Sequence, residues 1–384
     1  MVPDNPLEIL KNIPLAPLTT LKIGGLARFF VKAESEQQVV EAFEYARNER
    51  LDLFVLGGGS NILVSDDGFD GLVLQIALKG ITGGNASVNE RALVLKGITG
   101  GNAGVNERAL VGEVGTLPNS RVSARITAQA GEDWDRLVEY CVENDLAGIE
   151  CLSGIPGFVG GTPVQNVGAY GQEVSETIIA VRCLDRTTGR MVDLTNADCG
   201  FAYRTSIFNR SMRDRYIVLS VTYSLTKDGG PKIEYKDLKE YFAGREPTLS
   251  ETREAVLQIR AAKSMVIDAD DPNSSSAGSF FKNPIVTRDT LANISEKLKI
   301  ENLPHFEVDA DHVKIPAAWL IENAGFYKGF AMGNAGISTR HSLAIVNRGN
   351  ATAKDILALK DRIVSEVEAK FGIELRPEPI FIGF

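Results

Sequence analysis

The sequence predicts an α+β protein built from two or three lobes. A chain of 384 residues is long for a single hydrophobic core, and its apolar content of 44% and charged content of 24% are ordinary for a folded globular protein. Short apolar runs typical of strands alternate with amphipathic stretches typical of helices. Two glycine-rich loops interrupt this alternation, and they bear most directly on function.

The first lobe, residues 1–77, is expected to contain short strands and one helix. Ser35 and Gln38 have the spacing of a capping box ahead of an apolar helical stripe, which predicts a helix there. The predicted strands are Ala27–Ala33, Leu53–Leu56, Ile62–Val64 and Leu72–Ile76.

The second lobe, residues 78–264, and the third, residues 265–372, continue the alternation. Helices are predicted around Trp134 and from about Thr252 to Lys263, and a long helix is expected between a Thr352 cap and a terminal Gly372. The predicted strands are Ala124–Ala128, Ala180–Leu184, Met191–Leu194, Tyr216–Leu225, Leu343–Asn347 and a last one in Pro379–Phe384.

A tandem repeat occupies residues 78–111. Leu78–Val94 recurs as Leu95–Val111, and the two 17-residue units differ only at Ser87 and Gly104. Two units are too few for a solenoid. We interpret the repeat as a duplicated insert that lengthens a surface connection or hairpin, because loops tolerate insertions at little thermodynamic cost.

Composition argues against several classes of protein. A net charge of −9 disfavours general binding to nucleic acid, and no apolar run approaches the ~20 residues that span a bilayer. The first residues lack the pattern of a secretory signal, so we expect a cytoplasmic protein. Four irregularly spaced cysteines suit buried, reduced thiols better than a disulfide framework or a metal site. They are Cys141, Cys151, Cys183 and Cys199.

The two glycine-rich loops indicate a flavin-binding domain that is not a Rossmann fold. Gly57–Asn61 follows one predicted strand and leads into another, without the third glycine and the helix of a dinucleotide fingerprint. Successive backbone N–H groups in such a run can still bind a pyrophosphate. The second loop, Ser153–Gly171, is almost uncharged and unusually long for a plain connection.

Seven segments occur in the order seen in UDP-N-acetylenolpyruvoylglucosamine reductases, and the chain resembles that family over nearly all its length outside the repeat. The segments are TTLKIGGLARFF, LGGGSNILVSDDGFDGLV, SGIPGFVGGTPVQNVGAYG, YRTSIF, SAGSFFKNP, IPAAWLIENAGF and RPEPIFIG. The resemblance implies an FAD-binding domain of the vanillyl-alcohol-oxidase (PCMH) type with two α+β subdomains. It also implies a C-terminal α+β substrate-binding domain and a final strand, residues 373–384, that returns to the first lobe.

The activity implied by the resemblance is the NADPH-dependent, FAD-mediated reduction of UDP-N-acetylglucosamine enolpyruvate to UDP-N-acetylmuramate, in the synthesis of peptidoglycan precursors. Non-covalent FAD would be held by both glycine loops. The implied FAD-binding residues are Gly57, Gly58, Gly59, Ser60, Asn61, Gly154, Ile155, Pro156, Gly157, Gly160, Thr162, Gln165, Asn166, Gly168, Ala169 and Tyr170.

Three positions match the family's catalytic residues. Charge develops beside the substrate carboxylate during the reduction, so the reaction needs a cation at that carboxylate and a proton donor at the neighbouring carbon. Arg204 matches the carboxylate-binding arginine, Ser279 the proton donor, and Glu378 the acid that polarises the carboxylate or relays a proton. Arg376 and Ile380 depart from the family's usual residues on either side of Glu378, which leaves its setting open.

Other positions match substrate contacts. The segment IEYKDL resembles the tyrosine-bearing loop of the family's longer subtype, which folds over bound substrate. The implied substrate-binding residues are Tyr235, Arg260, Lys263, Asn283 and His341. Such a local cluster would let an acidic chain bind an anionic nucleotide sugar.

Two alternatives remain open on the residues alone. One is an oxidase of the same fold, many of which tether FAD through His or Cys in the flavin domain. All three histidines, His305, His312 and His341, lie in the predicted C-terminal lobe, so a histidyl link from the first two lobes is excluded. The other alternative is a flavin-binding module without catalysis, which would keep both glycine loops but would not need Arg204, Ser279 or Glu378.

Overall fold

A computed structural model describes residues 6–85 and 123–384. Its helices are α1 (Glu36–Asn48), α2 (Trp134–Glu143), α3 (Lys236–Phe242), α4 (Leu249–Ala262), α5 (Arg288–Leu298), α6 (Ala317–Asn323) and α7 (Ala353–Phe371). Its strands in the first part of the chain are β1 (Leu10–Pro14), β2 (Leu26–Ala33), β3 (Leu53–Leu56), β4 (Ile62–Val64), β5 (Phe69–Ile76), β6 (Ile81–Asn85), β7 (Ser123–Gln129), β8 (Leu146–Ala147), β9 (Gly168–Ala169) and β10 (Gln172–Glu173). The later strands are β11 (Ile178–Asp185), β12 (Arg190–Thr195), β13 (Tyr216–Lys227), β14 (Ser276–Ser279), β15 (Ile285–Thr287), β16 (Phe306–Glu307), β17 (His312–Lys314), β18 (Ala331–Met332), β19 (Ala335–Ile337), β20 (Ala344–Asn347) and β21 (Ile380–Ile382).

The predicted α+β class is confirmed, with three principal sheets. The first has the order β1-β2-β5-β3, in which β2, β5 and β3 run parallel. The second has the order β12-β11-β13-β7-β6 and is antiparallel, with β8 added beside β13. The third, β14-β20-β19-β18, is antiparallel and belongs to the C-terminal part of the chain.

Helix boundaries follow the capping residues. Ser35 caps α1 by accepting a hydrogen bond from the N–H of Gln38, as predicted. Thr352 and Asp355 form a capping box at the start of α7, and Gly372 ends that helix with a φ of +69°. Helix α4 begins three residues earlier than Thr252, because Thr248 and Glu251 supply a capping box that the sequence reading overlooked.

The start of the repeat belongs to a sheet. Strand β6 pairs with β7 through five residue pairs, from Ile81 with Ala128 to Asn85 with Ala124. Leu78, the first residue of the repeat, is buried in the core. Residues 81–85 of the first unit therefore form a strand of the second sheet, antiparallel to β7, and not a surface connection. Residues 86–111 of the repeat lie outside the described residues.

The final strand joins the two ends of the chain. Strand β21 runs parallel to β4, with Ile380 opposite Ile62 and Ile382 opposite Val64. This is the predicted return to the first lobe. A second link between the same regions is Asp66, whose carboxylate accepts hydrogen bonds from the N–H groups of Ala353 and Lys354 at the start of α7. Both links fix the position of the segment that carries Glu378.

Helix α2 holds the second glycine-rich loop in place. Trp134 is fully buried, and its indole N–H donates to the carbonyl of Leu152 at 3.0 Å. The carboxylate of Asp135 accepts from the N–H of Gly154 and is bound by both terminal nitrogens of Arg253 on α4. The pKa of Asp135 is lowered: burial raises it, but the hydrogen bonds and charge of its partners outweigh that effect. The loop thus starts from a rigid support.

Candidate active site

The two glycine-rich loops touch each other through their backbones. A Cβ atom on Gly58 would lie 2.7 Å from the Cα of Gly157, and one on Gly59 would lie 2.0 Å from the carbonyl oxygen of Leu18. Gly59 also has a φ of +65°, which disfavours any other residue. Side chains cannot fit at this junction, so the sequence needs glycine in both loops.

The exposed backbone at this junction fits a phosphate-bearing group. Among the described residues, the N–H groups of Gly57 and Gly58 have no hydrogen-bond partner. The side-chain amide of Asn61 donates to the side-chain oxygen of Gln165, which ties the first loop to the second. Unpaired N–H groups on a glycine run, with amide side chains beside them, are suited to the pyrophosphate of a dinucleotide such as FAD.

A cavity of about 670 Å³ opens next to the two loops. Half of the predicted FAD-binding positions line it: Ser60, Asn61, Ile155, Pro156, Gln165, Gly168, Ala169 and Tyr170. The other half do not: Gly57, Gly58, Gly59, Gly154, Gly157, Gly160, Thr162 and Asn166. The glycines among these shape the loops from behind.

Thr162 and Asn166 are buried and bonded within the protein. The hydroxyl of Thr162 donates to the carbonyl of Val159 and also contacts the hydroxyl of Tyr223. The amide of Asn166 donates to Glu173, and its oxygen accepts from the N–H of Ser175. These bonds hold the inner side of the second loop, which makes its outer side a fixed wall of the cavity.

Arg204 and Glu378 meet on another wall of the cavity. The Nε of Arg204 lies 3.4 Å from a carboxylate oxygen of Glu378, and the two side chains are only 20% and 14% exposed. The guanidinium also donates to the carbonyl of Gly168 in the second glycine loop and lies over the ring of Tyr203. Arg204 is therefore held on three sides, which is not how a mobile surface arginine behaves.

Glu378 is set for proton chemistry. Burial raises the pKa of its carboxyl, and the positive charges of Arg204 and Lys282 only partly oppose that shift. Its main-chain N–H donates to the carbonyl of Phe280, and its own carbonyl accepts from Asn61. Ile380 donates to the carbonyl of Asn61 and packs on β4, whereas Arg376 is exposed. The two unusual neighbours thus leave the carboxyl group facing the cavity.

Ser279 is the last residue of β14. Two residues later, Phe281 pairs with Pro377, the residue before Glu378. Its hydroxyl is 3.4 Å from the Nε2 of His341, and both residues line the cavity. The pKa of His341 is lowered to about 4, chiefly by burial and then by the positive charges of Lys263, Lys328 and Arg260. The imidazole is therefore neutral at pH 7 and can hydrogen-bond the serine without carrying a charge.

The remaining predicted substrate contacts also line the cavity. Tyr235, 38% exposed, packs its ring edge-on against Tyr170. Lys263 lines the cavity and bonds Asp237 at 2.6 Å. Arg260 is buried, donates to the carbonyl of Met265, and has no hydrogen-bond partner at its Nε among the described residues. The structure thus brings Arg260 and Lys263 to the cavity that Arg204 also lines.

Asn283 has a structural partner as well as a place in the cavity wall. Its side-chain oxygen accepts a hydrogen bond from the N–H of Ala317 at the start of α6. Its amide nitrogen remains available to the cavity. The described residues contain no group of three or more His, Cys, Asp or Glu side chains that could hold a metal ion.

Comparison with known proteins adds family evidence to this geometry. The model of an FAD binding domain matches residues 27–109 and 115–195. The model described as the C-terminal domain of UDP-N-acetylenolpyruvoylglucosamine reductase matches residues 270–382. The UDP-N-acetylenolpyruvoylglucosamine reductase of Thermobifida fusca is 41% identical, over 97% of this chain and 98% of its own.

The chain belongs to the UDP-N-acetylenolpyruvoylglucosamine reductase family.

Other relatives agree with this assignment. The UDP-N-acetylenolpyruvoylglucosamine reductase of Streptomyces coelicolor is 40% identical, over 98% of this chain and 91% of its own. The crystal structure of the reductase from Thermus caldophilus superposes with a TM-score of 0.59 at 24% identity, covering 98% of this chain and 99% of that one. That similarity shows the fold. The predicted FAD-binding fold of two subdomains with a C-terminal domain is confirmed.

Three further residues near Arg204 were missed from the sequence: Tyr203 and Lys314 line the cavity, and Lys282 lies behind its wall. Lys314 points its ammonium at the ring of Tyr203, 4.4 Å from the centroid, and burial lowers its pKa. Lys282 donates to the main-chain carbonyl of Arg204. Tyr203 precedes Arg204 in the YRTSIF segment, and Lys282 precedes Asn283 in the SAGSFFKNP segment, so both could have been found from these motifs. Lys314 lay in no quoted motif.

No helix in the described ranges combines the length and the apolar character needed to cross a membrane.

Proposed function

We propose that this protein reduces UDP-N-acetylglucosamine enolpyruvate to UDP-N-acetylmuramate, with NADPH as reductant and non-covalently bound FAD as intermediary, in the synthesis of peptidoglycan precursors. The observation that carries the proposal is the meeting of Arg204, Glu378 and Ser279 on a single cavity that both glycine-rich loops also line. Membership of the reductase family supports the choice of substrate.

The division of labour follows the architecture. Residues 1–77 and 78–264, with the returning strand in 373–384, form the two subdomains that hold FAD, and residues 265–372 form the domain that holds substrate. FAD held by the two glycine-rich loops would supply the hydride chemistry that links NADPH to the terminal vinyl carbon of the enolpyruvyl group. The glycine junction at Gly58 and Gly157 is the place where unpaired N–H groups would meet its pyrophosphate.

Arg204 binds and polarises the substrate carboxylate. Addition of hydride to the terminal carbon leaves negative charge on the neighbouring carbon, which spreads into the carboxylate. A guanidinium matches a carboxylate with two parallel hydrogen bonds, and it stabilises the developing charge most strongly where water is excluded. The half-buried position of Arg204, with its ring contact to Tyr203, supports this role.

Ser279 donates the proton that completes the reduction. The proton leaves its hydroxyl and forms the new C–H bond on the carbon next to the carboxylate, and the serine oxygen is then recharged from solvent or a neighbouring group. His341 helps to hold the hydroxyl in place, and its lowered pKa makes the neutral imidazole too weak a base to take the serine proton. A positioned donor of this kind contributes ~10²–10⁴-fold to a rate.

Glu378 assists at the carboxylate. Because its pKa is raised, its protonated form persists to higher pH than in a solvated glutamate, so it can donate a hydrogen bond to the carboxylate or relay a proton. The ion pair with Arg204 can exchange for a bond to substrate when the carboxylate arrives, since the two anionic groups share one guanidinium.

A group of cations accounts for binding an anionic substrate on an acidic protein. Lys263 and Arg260 line the cavity, as do Tyr235, Asn283 and His341. We propose that the two cations bind the diphosphate and that the tyrosine covers it. The positive local field offsets the overall charge of −9.

The decisive experiment mixes the purified protein with NADPH and the enolpyruvyl substrate and follows the nicotinamide absorbance. We expect oxidation of NADPH that requires substrate, and release of FAD from acid-denatured protein. Consumption of NADPH with oxygen alone, unaffected by substrate, would identify an oxidase instead. Flavin that stays attached after denaturation would contradict the non-covalent assignment.

We also propose a cytoplasmic location. The support in the structure is that Cys141, Cys151, Cys183 and Cys199 are all free and buried, as expected of a protein kept in a reducing compartment.

A further inference from the structure

The backbone of Arg204 is strained. Ala202 and Thr205 exchange two backbone hydrogen bonds of 3.0 Å, so Tyr203 and Arg204 form the tip of a tight turn. Arg204 has a φ of +52° at the third position of this turn, where a positive φ usually selects glycine. A non-glycine residue there persists only when its surroundings hold it.

Two side chains hold the carbonyl group of Arg204. The ammonium of Lys282 donates to it at 3.2 Å, and the side-chain amide of Asn209 donates to it at 3.3 Å. Fixing this carbonyl fixes the peptide plane that follows Arg204, and with it the direction in which the side chain leaves the turn. The guanidinium then reaches Glu378 on one side and the carbonyl of Gly168 on the other.

Lys282 stands in a position that electrostatics alone does not favour. No carboxylate lies within ion-pair distance of its ammonium among the described residues. Burial lowers its pKa, and although Glu378 opposes this, Arg204, Arg210 and Arg376 lower it further. A lysine kept among three guanidinium groups must have a contact that compensates, and the main-chain carbonyl of Arg204 is that contact.

The main chain of Lys282 ties it to the segment of Glu378. Its N–H donates to the carbonyl of Arg376, Phe281 pairs with Pro377, and the N–H of Glu378 donates to the carbonyl of Phe280. Ser279 precedes these residues directly. Two side chains of this paired segment thus reach the turn that carries Arg204: Glu378 contacts its guanidinium, and Lys282 contacts its main chain.

We propose that Lys282 is a positioning residue of the reaction: it holds Arg204 in its strained conformation and so sets the guanidinium against Glu378 and the incoming carboxylate. This inference rests on the proposed function, because it assigns Lys282 to the step that needs Arg204. Lys282 touches neither the glycine junction nor the cavity wall around it. It therefore serves the substrate half-reaction and not the reduction of FAD by NADPH.

The test compares Lys282→Met and Lys282→Arg with Lys314→Met. Lys314→Met removes an equal charge close to Arg204 but no contact with its main chain. Each protein is first reduced with NADPH and then mixed with increasing enolpyruvyl substrate. In Lys282→Met we expect unchanged FAD content and unchanged reduction, and a limiting rate of reoxidation lower by ~10–10²-fold, the scale of a small misplacement of a reacting group. Lys282→Arg should retain more of the rate.

Lys314→Met should chiefly weaken substrate binding and leave the limiting rate within about threefold of the wild type. If both methionine variants weaken binding alike and spare the limiting rate, Lys282 acts only as a charge and the inference is wrong. If the wild type fails to oxidise NADPH with this substrate, the proposed function is wrong instead, so the two failures are distinct.

A pH profile separates positioning from a general loss of structure. The charged or titratable groups facing Glu378 are Arg204, Lys282 and Tyr203. Loss of the Lys282 charge removes one influence that lowers the pKa of Glu378, so the limb of the reoxidation profile that belongs to Glu378 should move to higher pH in Lys282→Met. It should stay in place in Lys282→Arg. An unmoved limb in the methionine variant would mean that the Lys282 ammonium does not lie near Glu378 and Arg204 as the structure places it, which would contradict the proposal.

If Lys282→Met does not fold, Asn209→Asp gives a second test. Asp keeps the oxygen that accepts from Thr205 and Ser206 but loses the amide that donates to Arg204. We expect the same half-reaction to slow by ~3–10-fold, in keeping with one lost hydrogen bond, while FAD content stays normal. A wild-type reoxidation rate in this variant would show that the carbonyl contact is unimportant.

Discussion

At the scale of single residues, this site depends on groups whose surroundings change their chemistry. Glu378 would be an ordinary solvated acid in a flexible tail, but burial raises its pKa beside Arg204. His341 would titrate near neutral pH, but burial keeps it uncharged next to Ser279. The surroundings therefore give Glu378 and His341 distinct roles, which the residue types alone do not determine.

Ser279→Ala tests the proton donor. The variant should keep its FAD and its bleaching by NADPH, because that half-reaction needs no proton at the substrate carbon. Reoxidation by the enolpyruvyl substrate should fall by at least ~10²-fold. Ser279→Cys, which retains a proton on a larger atom, should keep more activity than alanine. A wild-type rate of reoxidation in the alanine variant would pass the role to Glu378 or to a bound water.

His341 gives a prediction on acid stability. Its pKa is about 4 in the folded protein, against 6.5 for a free histidine, so the unfolded chain binds more protons between these values. The contribution of the neutral imidazole to the free energy of unfolding is fully present above pH 6.5 and decreases as the pH falls toward 4. Between pH 7 and pH 5, the melting temperature of the His341→Gln variant should therefore decrease less than that of the wild type. An equal loss in both proteins would contradict a buried, neutral His341.

At the scale of elements, hydrogen bonds at the ends of strands and helices fix the positions of the reacting groups. Strand β21 lies on β4, and the residues just before it pair with the segment after Ser279. Asp66, next to the end of β4, binds the first two free N–H groups of α7. The helix that packs the C-terminal core is thus capped from the FAD-binding part of the protein.

Asp66→Ala should destabilise the protein through the loss of this cap. The expected decrease in the free energy of unfolding is about 0.5–2 kcal/mol, the usual effect of removing a side chain that caps a helix N-terminus. Asp67→Asn is the matched control, because Asp67 is exposed and makes no side-chain bond to α7. This substitution should change the free energy of unfolding by less than ~0.5 kcal/mol. Urea unfolding followed by circular dichroism measures both. Equal effects of the two substitutions would contradict a capping role.

At the scale of the whole molecule, the described part of the second sheet takes one strand from the tandem repeat. Strand β6 and Leu78 belong to the first unit and complete the second sheet and its core. The second unit begins with the same nine residues, LKGITGGNA, before the difference at Gly104, so either unit can supply this strand. We therefore expect one unit to be enough for this strand.

Deleting either unit should leave FAD content and turnover close to the wild type. Removal of Leu95–Val111 or of Leu78–Val94 yields proteins that differ at a single position, serine or glycine. Removal of residues 78–111 together should cost the sheet its β6 strand, with loss of FAD or of solubility. Absorbance of the bound flavin and gel filtration distinguish these results. A colourless single-unit deletion would show that the second copy supports the flavin-binding domain.

Local features of the fold could be predicted from the sequence because they depend on near neighbours in the chain. The caps at Ser35 and Thr352, the terminal Gly372 and the central parts of most strands follow from hydrogen bonds and periodicity within a few residues. The missed start of α4 was also local, since Thr248 and Glu251 have a recognisable spacing. The candidate site residues came from motifs, which name residues but give no distances.

What the sequence by itself determined was therefore the set of elements, the two glycine-rich loops, and the family to which the motifs point. Only the tertiary structure decided that Arg204 faces Glu378, that Ser279 touches His341, and that Lys282 reaches the backbone of Arg204. These contacts join residues far apart in the chain, and they arise from strand pairing and from burial. Burial also sets the charge of the groups, since a carboxyl or an imidazole titrates according to the water and the charges around it.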